Sequence, residues 1–229
     1  MKILIVDNTL EQECWGSEPI RRFARAAASA TLTVRRAPHE DLPRSPHGFD
    51  RIIISGSGTS CLKDAPWIEK LHQFIRQSVD ANVPTLGVCY GHQSLVRALG
   101  GKDLVRRSQL SEHGWTQIEV LGDTPLLSGL PKTFYSFSAH YEEVSALPRG
   151  MRHLAKSRDC NIQACQLEDR PIYGIQFHPE KDPSDAARAF SERKKEGPAR
   201  GILQADKTDK FYNPKIGEMI FSNFLKATS

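Results

Sequence analysis

The sequence predicts an α/β fold: a mostly parallel central sheet flanked by helices on both faces, with an antiparallel extension. Three observations carry this. The runs Ile3-Leu4-Ile5-Val6, Ile52-Ile53-Ile54 and Pro84-Thr85-Leu86 are short and unbroken, of the kind that parallel sheets bury on both faces. Strand-like and helix-like segments then alternate through the first hundred residues, as in stacked β-α-β units. From Lys102 onward the texture changes to short segments of alternating polarity, which suit hairpins and a sheet edge.

Taken in order, Lys2 to Asp7 reads as a fully buried strand. Ser17-Glu18-Pro19 opens a helix with a capping hydroxyl, a first-turn acid and a proline where its missing N–H costs nothing. Ile20, Phe23 and Ala27 share one face of it. Thr31 to Arg36 is a more exposed strand, and the Pro- and His-rich stretch Ala37 to Asp50 is loop. Arg51 to Ser55 is a buried strand followed by the turn Gly56-Ser57-Gly58-Thr59. A helix from about Pro66 to Val79 places Trp67, Ile68, Leu71, Phe74 and Ile75 at helical spacing, a packing stripe. Another strand and a helix ending near Leu99 follow. Beyond Lys102, Thr116 to Leu121, Arg152 to Lys156, Asn161 to Leu167 and Pro171 to Phe177 read as short strands forming hairpins and the sheet edge. Ile216 to Lys226 is an amphipathic closing helix with Met219, Ile220, Phe221, Phe224 and Leu225 inward.

At 229 residues, with 39% hydrophobic and 25% charged, the chain supports a substantial core, and one domain over 1–229 is expected. No stretch approaches the roughly 20 apolar residues of a membrane span. The net charge of +4 is mild, and no basic run carries interleaved aromatics, so neither membrane nor nucleic acid is expected as a partner. Five cysteines are odd in number and lack metal-ligand spacing; Cys160 and Cys165 read as core thiols. A reducing, cytoplasmic setting and no metal fit this usage.

Chemistry concentrates in two places. Gly87-Val88-Cys89-Tyr90-Gly91-His92-Gln93 follows a buried strand, and Gly-x-Cys-x-Gly there is the cysteine form of a nucleophile elbow. The strand turns so sharply into its helix that only glycine leaves room for the neighbouring backbone. The helix N-terminus beyond Cys89 favours thiolate. Downstream, Gly174-Ile175-Gln176-Phe177-His178-Pro179-Glu180 is a short strand ending in a histidine with a carboxylate two residues on. An extended segment repeats every two residues, so Glu180 can reach the imidazole and fix its tautomer. Nucleophile, base and orienter thus occur together.

Elbow, glutamine and His-Pro-Glu together resemble the class I, triad-type glutamine amidotransferases over about residues 2 to 180 and the last helix. The resemblance implies a flavodoxin-like three-layer α/β/α fold with no cofactor. It implies that Cys89 attacks the glutamine side-chain amide to form a γ-glutamyl thioester, with His178 holding the thiolate as an ion pair and moving protons, and Glu180 orienting it. Backbone N–H groups of Tyr90 and Ser57 would serve as oxyanion donors; relatives carry Gly-Gly-Pro or Asn-Gly-Pro where this chain has Gly56-Ser57-Gly58. Gly56, Gln93, Ser138 and His140 are the implied substrate contacts, the last two in a His-containing loop, Ser136 to Val144. For His140, pinning that loop is an equal alternative. Ser111 to Trp115 matches the family's Glu-x-Gly segment, a scaffold.

No second catalytic domain fits in this length, so an ammonia-using synthase would be a separate chain. The segment ending Val144 to Gly150 is most similar to amidotransferase domains of the GMP synthetase type, whereas Asp7-Asn8-Thr9 is closer to anthranilate-synthase-type sequences; the acceptor stays open. A γ-glutamyl amide or peptide hydrolase acting alone, and a binding module with a residual triad, are the alternatives. Lys181 to Lys215 looks like an insertion before the last helix, its mixed charges suiting either a solvated excursion or a lid or docking surface.

Overall fold

The computed structural model describes residues 1–10, 16–26, 30–195 and 208–227. The first strand, β1 (Lys2–Asp7), shows how the layers arise. Ile3 and Ile5 point to one side of the sheet, Leu4 and Val6 to the other, and all four are fully buried. The first pair joins a core with α1 (Glu18–Ala26) and the closing helix α6 (Pro214–Lys226), where Phe23 stacks on Phe221 at 4.7 Å. The second pair joins α2 (Pro66–Asp80) and α3 (Tyr90–Gly100). A strand that feeds both cores cannot carry a polar residue on either face, which is why these runs are unbroken.

The remaining strands are β2 (Thr31–Arg36), β3 (Arg51–Ile54), β4 (Thr85–Val88), β5 (Val105–Val120), β6 (Thr133–Val144), β7 (Met151–Lys156), β8 (Ala164–Leu167) and β9 (Ile172–Ile175). They form one nine-stranded sheet among the described residues, in the order β2-β1-β3-β4-β9-β8-β7-β5-β6. The first four pairings in that order are parallel. The others are antiparallel. The parallel core with an antiparallel extension is the predicted fold class.

Four details differ from the sequence reading. Pro171 to Phe177 was expected at the sheet edge, yet β9 is central and runs parallel to β4, with Leu86 opposite Tyr173 and Gly87 opposite Gly174. All four of its residues are buried. Thr116 to Leu121 is only the end of β5, a 16-residue strand whose first half is too polar to advertise itself. Ser136 to Val144, read as a loop, lies within β6, paired along β5 from Glu119 opposite Thr133 to Glu112 opposite His140. Its serines and glutamates hid the alternation because buried polar groups take the place of apolar ones.

The fourth concerns the segment after Glu180. Here Pro183–Lys195 forms α4 and Thr208–Phe211 forms α5. Ala186 and Phe190 of α4 are buried in a cluster with Trp115 and Phe137, and Phe211 stacks on Tyr135 at 4.0 Å. Arg22 of α1 bonds Asp182 at 2.9 Å and also Asp185, tying the start of α4 to the first helix. The solvated-excursion reading therefore does not describe α4. The rest of the predicted insertion, residues 196–207, falls outside the described residues, as do Ala27 and Cys14.

Candidate active site

The site is built where β4 ends. Cys89 follows the strand at φ 52° and ψ −103°, a conformation that non-glycine residues rarely adopt, and α3 begins at the next residue. Such backbone strain costs on the order of 1–3 kcal/mol and persists only when the surroundings over-determine it. Two glycines do so here. A Cβ on Gly87 would stand 2.4 Å from the carbonyl oxygen of Gly91, and a Cβ on Gly91 would stand 2.3 Å from that of Ile54. The first closeness lets helix fold back over strand; the second lets α3 lie against β3. The Cys89 N–H donates to the Ile175 carbonyl at 2.7 Å, pinning the elbow to β9.

That strand also delivers the imidazole. Past its end, His178 donates its backbone N–H to the Phe137 carbonyl at 2.7 Å, so β6 holds the segment in place. Its Nδ1 lies 2.6 Å from Oε1 of Glu180, and both side chains are buried. A Cβ built on Gly56 would be 3.0 Å from Cε1 of His178 and 3.6 Å from Cβ of Cys89. Cysteine and histidine thus flank one glycine, and the structure brings Cys89, His178, Glu180 and Gly56 together. Tyr90 follows Cys89 and hydrogen-bonds the sulfur through its backbone.

A cavity of about 460 Å³ opens beside the sulfur, lined among others by Ser57, Gly58, Thr59, Gln93, Arg107 and His140. Of the implied substrate contacts, Gln93 spends its amide inward, donating to the Glu142 carbonyl at 2.8 Å and to Oε1 of Gln176 at 3.0 Å. His140 uses both ring nitrogens within the protein: Nε2 lies 2.9 Å from Glu112 and Nδ1 lies 3.1 Å from the Glu142 carbonyl. This is the pinning geometry that the sequence left open. Ser138 is fully buried, with its hydroxyl unpartnered. The Ser57 hydroxyl accepts from the Thr59 N–H at 3.0 Å, which shapes the turn at the cavity mouth.

Burial sets the electrostatics. It pushes the Cys89 thiol up to about 12, against the opposing influence of the Lys181 charge, the Tyr90 N–H and the Gln176 amide. Burial also pulls the His178 imidazole below its ordinary value, outweighing Glu180, which acts the other way. Both shifts favour a neutral thiol and a neutral imidazole over the ion pair expected from the helix N-terminus alone. Cys61 and Cys165 are likewise raised to about 12 by burial, but no lysine acts on either.

Sequence reasoning missed three neighbours of the sulfur. Gln176 places its Nε2 3.4 Å from the Cys89 sulfur. Its parity with His178 and Glu180 was a usable signal, since residues two apart in an extended segment share a face. Lys181 follows Glu180 directly, yet nothing local marks it as buried. Glu142 binds the Ser60 hydroxyl at 2.5 Å and the Cys61 N–H at 2.7 Å, tying the β3 turn to β6 across the chain.

Fold and site define a class of enzyme that breaks amide bonds through an elbow cysteine, and the comparisons name it. The profile of the family "Glutamine amidotransferase class-I" matches residues 19–195, and the chain belongs to that family. It is related to the glutamine-hydrolysing subunit of GMP synthase. Against that protein from Pyrococcus abyssi the chain is 33% identical over 183 residues, covering 78% of this chain and 88% of that one. The protein of the same name from Thermococcus kodakarensis is 40% identical over 115 residues, a match covering 48% of this chain and 60% of that one. Among solved structures, a glutamine amido transferase from Methylobacillus flagellatus superposes with a TM-score of 0.82 over 98% of this chain and 94% of that one. At 24% identity, that likeness speaks for the fold.

Proposed function

We propose that this chain hydrolyses the side-chain amide of glutamine at Cys89 and hands the ammonia to a synthetase carried on a separate chain. The Cys89 sulfur, deprotonated by His178, attacks the amide carbon. The tetrahedral oxyanion takes N–H donors from Tyr90 and Ser57. His178 returns the proton to the departing nitrogen, which leaves as ammonia, and the γ-glutamyl group remains as a thioester. His178 then takes a proton from water, the hydroxide opens the thioester, and glutamate leaves as the thiol is restored. Glu180 holds the imidazole in the tautomer that this needs.

The observation that carries this reading is the cysteine on a strained elbow, flanking the same glycine as an imidazole that a buried carboxylate holds at 2.6 Å. The kinship with the glutamine-hydrolysing GMP synthase proteins supports a synthetase chain that uses the ammonia to make a guanine nucleotide. The test is ammonia release from glutamine and from γ-glutamyl amines by wild type and Cys89→Ala. Wild type should prefer free glutamine, and Cys89→Ala should lose at least about a thousand-fold in rate. Turnover of γ-glutamyl amines but not of glutamine would replace this reading with that of a partner-free hydrolase.

A further inference from the structure

Lysine is almost never buried without compensation, and Lys181 is only 6% exposed. Its backbone N–H donates to the His178 carbonyl at 3.3 Å, so it stands at the tight turn that closes the triad segment. Its Nζ lies 5.3 Å from the ring centre of Phe137, the residue whose carbonyl pins His178. Phe137 in turn packs against Phe190 of α4 at 5.5 Å, so the helix closes over the ammonium. The charges that act on it come from Glu180, from Cys89, from Asp185 and, with the opposite sign, from Arg188. Arg22 engages Asp185 from α1, and His140 acts on His178 from β6. Burial pulls the lysine down while Glu180, Cys89 and Asp185 hold it up.

We propose that Lys181 is a positioning residue for the thiol chemistry: its buried ammonium, set between Glu180 and the Cys89 sulfur, supplies the fixed positive charge that the anionic sulfur needs. This rests on the functional reading above and extends it. In that reading His178 is the proton carrier and returns to neutrality within each cycle, so it cannot hold the negative charge throughout. A lysine roofed by an aromatic ring and a helix can. It also steadies Glu180, whose Oε2 is buried with no hydrogen-bond partner and whose Oε1 is taken by His178. The arrangement offsets part of the burial that otherwise keeps the sulfur protonated.

The experiment compares Lys181→Met and Lys181→Arg with wild type in the full-length chain. It reads the pH midpoint for alkylation of Cys89 by iodoacetamide, located by peptide mapping, together with kcat and KM for glutamine. Lys181→Met should move the midpoint upward by about one pH unit, which is a factor of ten in thiolate at a given pH. It should lower kcat at neutral pH about tenfold with little change in KM, and Lys181→Arg should restore much of both. If Lys181→Met fails to fold, Lys181→Gln, which keeps the length and polarity without the charge, carries the same reading. An unmoved midpoint in a folded charge-free variant overturns the proposal, and so does a shift that arginine does not reverse. The functional reading is judged separately. It fails if wild type does not hydrolyse glutamine, whereas the alkylation midpoint still decides the role of Lys181.

Discussion

At the scale of the residue, the site works by pairing groups whose individual tendencies oppose the chemistry. Burial keeps both the Cys89 thiol and the His178 imidazole neutral, so reaction depends on moving one proton between them when substrate arrives. Glu180 becomes the residue that makes His178 able to accept it. His178→Ala should therefore reduce glutamine turnover almost as severely as loss of the sulfur. Glu180→Gln should be milder, about ten- to a hundred-fold in kcat, because the amide oxygen can still hold the Nδ1 proton but offers no charge to the imidazolium. Steady-state kinetics with an ammonia-coupled assay check the ranking. Equal losses in the two variants would mean that Glu180 does more than orient.

At the scale of the element, the elbow is defined by close approaches of backbone. Gly91→Ala would drive a methyl to 2.3 Å from the Ile54 carbonyl, and no side chain can yield to relieve it. The expected cost is about 2–3 kcal/mol in denaturant unfolding. It should come with a fall in kcat, since α3 must move and carry Cys89 with it. The α4 helix is a second case. Phe190 is buried against Phe137 and His113, so Phe190→Ala should destabilise by about 3 kcal/mol. Urea unfolding reads this directly. A loss below about half a kcal/mol would show that α4 rests loosely on the sheet, as a lid would.

At the scale of the whole molecule, two buried histidines give stability a defined pH dependence. Burial holds His72 down to about 4 and His92 down to about 3. In the unfolded chain each takes up a proton near its ordinary value of about 6.5. Between that pH and the folded values the unfolded state binds more protons, so stability is fully present above about 6.5. It falls as the pH drops toward 4 and then 3. Urea midpoints from pH 7 to pH 5 should therefore decline in wild type. They should decline less in His72→Gln, whose parent histidine sits on α2, away from the elbow. An identical slope in the two proteins would assign the acid sensitivity to other groups.

What was legible in the sequence was what local pattern encodes. Unbroken apolar runs marked β1, β3 and β4, because a strand buried on both faces has no polar position to interrupt it. The Gly-x-Cys-x-Gly spacing marked the elbow because both glycines answer to steric limits within a few residues. His178 and Glu180 were paired by the two-residue repeat of an extended chain. Tertiary structure alone decided the rest. Only the closed sheet places β9 beside β4 and so brings His178 to Cys89. The strand β6 was hidden because its polar side chains are satisfied by distant ones: His140 by Glu112, and Glu142 by Ser60 and Cys61. Gln176 and Lys181 look like ordinary surface residues in the sequence and are buried beside the sulfur in the fold. Burial is a property of the assembled layers, and no window of neighbouring residues contains it.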